Sequence, residues 1–172
     1  MASLAKTRTD KRAARRAGEM GARTEYLAFM LAGENYAVRI AHVAEILKPP
    51  PITEVPRSSP TVLGVISVRG RLVTVVDLRR RFRLPDAPVK ANVDANVDRK
   101  ARILLADVGT GEQIGLLVDE VQQVWRLAAE EIEPANALGG EQPAHIAGIG
   151  RPAGEDGTVL ILLDLHPILE SP

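Results

Sequence analysis

The chain contains no cysteine. Disulfides, thiolate metal sites, cysteine nucleophiles and iron–sulfur clusters are excluded together, and the composition suits a reducing compartment. Long hydrophobic runs are also lacking. Apolar stretches such as Val159 to Leu163 fall far short of the ~18 residues of a spanning helix, so a soluble chain is expected. Net charge is absent as well, with 22 Lys+Arg against 22 Asp+Glu, which gives no overall argument for a polyanionic partner. There are only five aromatic residues, two Phe, two Tyr and one Trp, and so no stacking platform for single-stranded nucleic acid. None of the five serines sits in a Gly-x-Ser-x-Gly elbow, and no Walker loop occurs. The three histidines, His42, His145 and His166, are far apart and show no metal-ligand spacing. No metal and no cofactor is expected.

What is present is mostly β. The 172 residues suit one compact unit or two very small ones. Runs rich in Val, Ile and Leu, bounded by Gly-containing turn signals, predict strands at Tyr26 to Leu31, Tyr36 to Ile40, Val62 to Val68, Leu72 to Leu78, Ile103 to Val108, Ile114 to Val118 and Val159 to Leu163. No helical stretch long enough for a βαβ unit separates them, which argues for a sandwich or small barrels. Short helical pieces are predicted near Ala41 to Leu47, Leu127 to Ile132 and His166 to Leu169.

Charge is unevenly placed. Residues 1–24 hold seven bases and two acids, leaving 15 against 20 in the rest. This segment has no apolar core for a secretory signal, so export is not expected, and its composition reads as a disordered basic tail. Residues 85–101 contain two prolines and Ala-Asn-Val-Asp twice, and read as a flexible linker because they offer little apolar area to offset their ordering entropy.

The linker separates two related halves. At an offset of 78, Gly33-Glu34-Asn35-Tyr36-Ala37-Val38 lines up with Gly111-Glu112-Gln113-Ile114-Gly115-Leu116, and Ile40, Val43, Ile46 and Pro56 continue onto Val118, Val121, Val124 and Pro134. After slips, Gly64-Val65 matches Gly148-Ile149, and Val75-Val76-Asp77-Leu78 matches Leu162-Leu163-Asp164-Leu165. Two copies of one β unit follow, about 25–84 and 102–170. Each is near the marginal size for folding alone, so a shared core is expected.

The polar clusters read mainly as structure. Gly109 to Gly115 and Gly148-Ile149-Gly150 are expected to be turns. Glu130, Glu131 and Glu133 look like a solvated turn before Pro134. Asp77 and Asp164 occupy equivalent positions in the two copies, which favours a structural role over a catalytic one. Arg79, Arg80, Arg81 and Arg83 form a basic cluster that, with residues 1–24, sustains an alternative reading as a nucleic-acid-binding barrel. A hydrolytic reading would use Asp77, Asp164 and the glutamates.

The ordered set Tyr26-Leu27-Ala28-Phe29, Gly33 to Ile40, Val43-Ala44-Glu45-Ile46, Ile52 to Pro56, Gly64-Val65-Ile66-Ser67-Val68-Arg69-Gly70, Val75 to Arg79 with Phe82, Gly115 to Val121, Ile132-Glu133-Pro134, Gly148-Ile149 and Leu162 to Leu165 resembles the bacterial chemotaxis coupling protein (CheW) family over nearly all of 25–170. Where that family usually has Asn-Leu-Arg-Gly, this chain has Ser67-Val68-Arg69-Gly70. The resemblance implies an all-β fold of two SH3-like five-stranded β-barrels sharing a hydrophobic core, with a few short helices. It implies a cytoplasmic, non-enzymatic adaptor without cofactors, associated with receptor arrays through protein partners. Those partners would be the cytoplasmic tip of a methyl-accepting chemoreceptor and a CheA-type histidine kinase, with neither nucleic acid nor membrane insertion. Its receptor-binding residues fall on Val43, Glu45 and Arg69, and its kinase-binding surface lies near Gly64. Strand alternation from Val65 places Arg69 on the outer face with Ser67. A reversal at Gly70-Arg71 would follow; the alternative reading makes Arg69 an ordinary surface arginine paired with a nearby acid such as Asp77.

Overall fold

The run from Tyr26 to Leu31 is apolar at almost every position because both faces of that strand are covered. Successive side chains of a strand point to opposite faces. Leu27, Phe29 and Leu31 face a cluster that also holds Tyr36, Val38, Val76, Leu78, Leu104, Leu116, Val118, Leu163, Leu165 and Ile168, while Tyr26 and Ala28 face a second cluster with Ala37, Leu127, Leu160 and Leu162. A third cluster is formed by Ile66, Val73, Val75, Ile103 and Leu105. The first draws on both sheets and is the shared core; the other two fill one barrel each.

The computed structural model describes residues 21–85 and 99–170. Its strands are β1 (Thr24–Leu31), β2 (Glu34–Arg39), β3 (Val43–Leu47), β4 (Val62–Val68), β5 (Arg71–Asp77), β6 (Arg102–Ala106), β7 (Ile114–Val118), β8 (Glu120–Leu127), β9 (Ile132–Pro134), β10 (Ile146–Gly150) and β11 (Leu160–Leu163). Two one-turn helices, α1 (Leu78–Arg81) and α2 (His166–Leu169), follow β5 and β11. The strands form two sheets, ordered β8-β1-β2-β11-β10-β9 and β3-β6-β7-β5-β4. The expected all-β, two-barrel fold is present, with the three-residue β9 adding a sixth strand to one sheet.

The two sequence halves are not the two sheets. The β1–β2 hairpin sits among strands of the second half, between β8 and β11, and the β6–β7 hairpin sits among strands of the first half, between β3 and β5. Each hairpin joins its host by an antiparallel pairing on one side, β1 with β8 and β6 with β3, and by a parallel one on the other, Tyr36 with Ile161 and Ala37 with Leu162 in one sheet, Thr74 to Asp77 with Ile114 to Leu117 in the other. Self-similarity identifies equivalent strands; it carries no information about which copy a hairpin pairs with. The exchange explains why the core is shared.

Several local expectations change. Of Ala41 to Leu47, only Ile40–His42 is a 3-10 turn, and Val43–Leu47 is an outer strand paired with β6. Gly148-Ile149-Gly150 is not a turn but part of β10. A Cβ on Gly148 would stand 2.4 Å from the Glu133 carbonyl oxygen, and one on Gly150 would stand 2.6 Å from Leu127 Cδ1, so these glycines permit close packing within a strand. The Gly109 to Gly111 segment is the expected turn, with the Gly109 amide donating to Asp107 Oδ1 at 2.7 Å. The helix α1 was not anticipated. It starts because Asp77 caps it, accepting from the amides of Arg79 at 2.8 Å and Arg80 at 3.4 Å. Asp164 lies one residue before Leu165, the N-cap of α2, and its carboxylate accepts from the His166 amide at 3.0 Å.

At the edges of the fold, most of the basic tail and of the linker lie outside the described residues. Of the described residues next to those gaps, Thr24 pairs with Leu127 in β8, Arg23 reaches Glu131, and Ala101 is buried.

Candidate functional site

The β4–β5 hairpin closes through two residues with positive φ, Arg69 at +49° and Gly70 at +78°, with Val68 opposite Arg71. This is the backbone of a primed two-residue turn. The strand therefore ends one residue earlier than the alternation predicted, and Arg69 occupies the turn itself. From there its guanidinium reaches Glu45 on β3, with Nη1 2.8 Å from Oε2 and Nη2 donating to Oε1 at 2.9 Å. The partner of Arg69 is thus Glu45, while Asp77 is occupied at α1. The Arg69 side chain is 77% exposed and that of Glu45 29%. The forked geometry matches a planar guanidinium to a carboxylate and fixes both orientations.

Of the residues singled out in the sequence, Glu45 and Arg69 are brought into contact. Val43 lies on the same strand opposite Ala106 and is half-buried against the shared core. Gly64 is buried. A Cβ there would stand 2.1 Å from the Thr53 carbonyl oxygen, at φ +148°, and Thr53 and Val65 exchange main-chain hydrogen bonds of 2.9 and 2.8 Å directly beside it. Its direct role is to admit the Thr53 segment against β4. Sequence reasoning missed Leu72, which is 77% exposed three residues after Arg69, and Ile46, which is 44% exposed next to Glu45. Hydrophobic spacing places Leu72 in a strand and Ile46 in a short helical piece, and neither placement shows that the side chain faces out.

The other polar groups serve the fold. Arg79 holds Asp119 in a second forked pair, with Nε to Oδ1 at 2.7 Å, while Asp119 also accepts from the Ala32 amide at 2.8 Å. That ties α1, the β7–β8 junction and the β1–β2 turn together. Arg80 faces Asp77, and Arg81 donates to the Pro167 carbonyl at 3.0 Å, so three members of the basic cluster have internal partners. Glu131 is not a solvated turn residue. Its carboxylate accepts from the amides of Ala128 and Ala153, both at 2.7 Å, and these bonds, aided by Arg23, hold its pKa below the ordinary range. Glu133 pairs with Arg151 at 2.7 Å. Among the described residues, no three His, Asp or Glu side chains gather as a metal site, and no helix is long and apolar enough to cross a membrane. The histidines, distant in sequence, are brought closer: the rings of His42 and His166 meet edge to face at 6.0 Å.

Residues 25–172 match the CheW-like domain family model. The chain is 30% identical to the chemotaxis protein CheW of Bacillus subtilis over 146 residues, covering 84% of this chain and 85% of that one. It is 30% identical to CheW of Klebsiella aerogenes over 148 residues, covering 86% and 82%. Among solved structures, the scaffolding protein CheW of Thermoanaerobacter tengcongensis superposes with a TM-score of 0.73 at 28% identity, covering 86% of this chain and 93% of that one. A repeated β unit with exchanged hairpins, a shared core and a matching sequence model over 25–172 together place this chain in the CheW-like family.

Proposed function

We propose that this protein is a non-enzymatic adaptor of chemotaxis-type signalling, coupling the cytoplasmic tip of a chemoreceptor to a CheA-type histidine kinase. Membership of the CheW-like family supports the role. The observation that carries the site is the forked Arg69–Glu45 pair, exposed where the β4–β5 turn reaches β3. A preset, exposed pair of opposite charges suits a protein partner, since Arg is enriched among interface anchors. The receptor-facing residues are Val43, Glu45 and Arg69. The kinase-facing surface is the region of β4 whose backbone Gly64 shapes, so Gly64 acts there through the strand. The carboxylates of Asp77, Asp164, Glu131 and Glu133 are spent on caps and ion pairs, which supports an adaptor over a hydrolase.

Co-sedimentation tests the reading. The chain is expected to pellet with receptor-bearing membranes and to bring the kinase with it. If it pellets neither, or retains the kinase equally well without receptor, the coupling role fails.

A further inference from the structure

All three histidines of the chain lie along the junction of the two sheets. His42 closes the 3-10 turn between β2 and β3, at the point where the chain crosses from one sheet to the other. His166 begins α2, which packs Ile168 into the shared core. His145 precedes β10, and its carbonyl accepts the Asp164 amide at 2.9 Å. The His145 ring stacks on Phe82 at 4.2 Å and 9°, Phe82 stacks on Tyr36 at 5.8 Å, and Tyr36 on Phe29 at 6.3 Å. A column of four rings therefore runs from the β1–β2 hairpin, through the turn after α1, to the segment before β10. Stacked rings of this kind are held by area and by offset geometry, and the outermost one is titratable.

We propose that this junction is a proton-responsive seam: the ring column is closed when His145 is neutral and loosens when its imidazole is protonated. Two arrangements support it. First, His145 is half-buried, and the Arg81 guanidinium of α1 stands close enough to oppose a positive charge; burial first and Arg81 second hold its pKa below the usual histidine value. Second, Arg81 also donates to the Pro167 carbonyl at 3.0 Å, so displacing Arg81 from a charged His145 pulls on α2.

The remaining polar groups around the junction do not neutralise His145. The Asp164 carboxylate is turned to the His166 ring and amide, both at 3.0 Å. Asp107, whose amide donates to the His42 carbonyl at 2.9 Å, has Oδ1 engaged with the Gly109 amide. Tyr36 has its phenol pKa pushed further up by burial and by Glu34, so it stays neutral throughout. The sign follows. A histidine whose folded pKa is depressed stabilises the closed form above its unfolded value, and that contribution is lost as pH falls through the folded value. The working window is therefore below pH 6.5, the ordinary histidine value.

The test is ring titration by NMR together with exchange of the Phe82 and Leu84 amides, which bond to Leu78 and Arg79, on the full chain from pH 7.5 to 5.0. After correction for intrinsic rates, opening at these amides is expected to rise below pH 6.5, up to tenfold per pH unit, the limit for one linked proton. His145→Phe, which keeps a stacking ring but cannot be protonated, is expected to remove most of that rise. Should His145→Phe fail to fold, His145→Leu and the wild-type His145 titration serve in its place. Opening that is independent of pH, or a His145 ring titrating at or above 6.5, would overturn the proposal, as would the same rise in the His145 variants.

Discussion

Arg69 and Glu45 hold each other by two short contacts between the β4–β5 turn and β3, although β3 and β4 stand at opposite ends of the five-stranded sheet order. The pair links the two outer strands of that barrel on its surface. With 77% of the Arg69 side chain exposed, solvent screens most of the attraction. A double-mutant cycle of Arg69→Ala and Glu45→Ala in urea unfolding should give a coupling of only about 0–1 kcal/mol. A coupling above about 2 kcal/mol would make the pair a structural clamp.

The glycines that admit main chain against β4 and β10 should behave in the opposite way. Gly64→Asp meets the Thr53 carbonyl at 2.1 Å and forces a side chain onto φ +148°. It is expected to cost roughly 3 kcal/mol or more, combining overpacking with a backbone region that side chains rarely adopt. Gly148→Ala, facing the Glu133 carbonyl at 2.4 Å, should be destabilised as well. Circular dichroism melts read this directly. Wild-type melting of Gly64→Asp would refute the packing role and make the residue a clean probe of the kinase side.

Acid stability should depend on Glu131. Its pKa is lowered from the ordinary 4.5, chiefly by the Ala128 and Ala153 amides. A depressed carboxylate contributes stability above its unfolded value and loses it as pH falls through the folded one. The wild type should therefore lose stability below about pH 4.5, its unfolded value, and Glu131→Gln should show a shallower loss. Parallel acid-unfolding curves for the two proteins would contradict this.

Much of the fold was legible because strand signals are local. Val62–Val68 and Ile114–Val118 coincide with the runs marked by hydrophobicity. The hairpin exchange was not legible, because β1 is apolar on both faces and its sequence satisfies either sheet. Residues 148–150 were misread because a glycine that permits a turn and one that permits close approach look alike in sequence. β3 was misread for a related reason, since Val43, Ile46 and Leu47 satisfy the spacing of a helical face as well as a short strand. At the site, Arg69 and Glu45 were named together, but the turn was placed one residue late because arginine seldom takes positive φ. Leu72 and Ile46 were hidden because exposure at a sheet end is a tertiary property.

The central claim is that Arg69 anchors a receptor, and the affinity of Arg69→Ala for receptor-bearing membranes tests it most directly. Truncating an interface anchor commonly costs about 2 kcal/mol or more. The account predicts a protein that melts within about 1 kcal/mol of wild type and keeps its kinase affinity, while its receptor affinity falls by roughly thirtyfold, each 1.4 kcal/mol being about tenfold. A folded Arg69→Ala protein that binds receptor as tightly as wild type would contradict it.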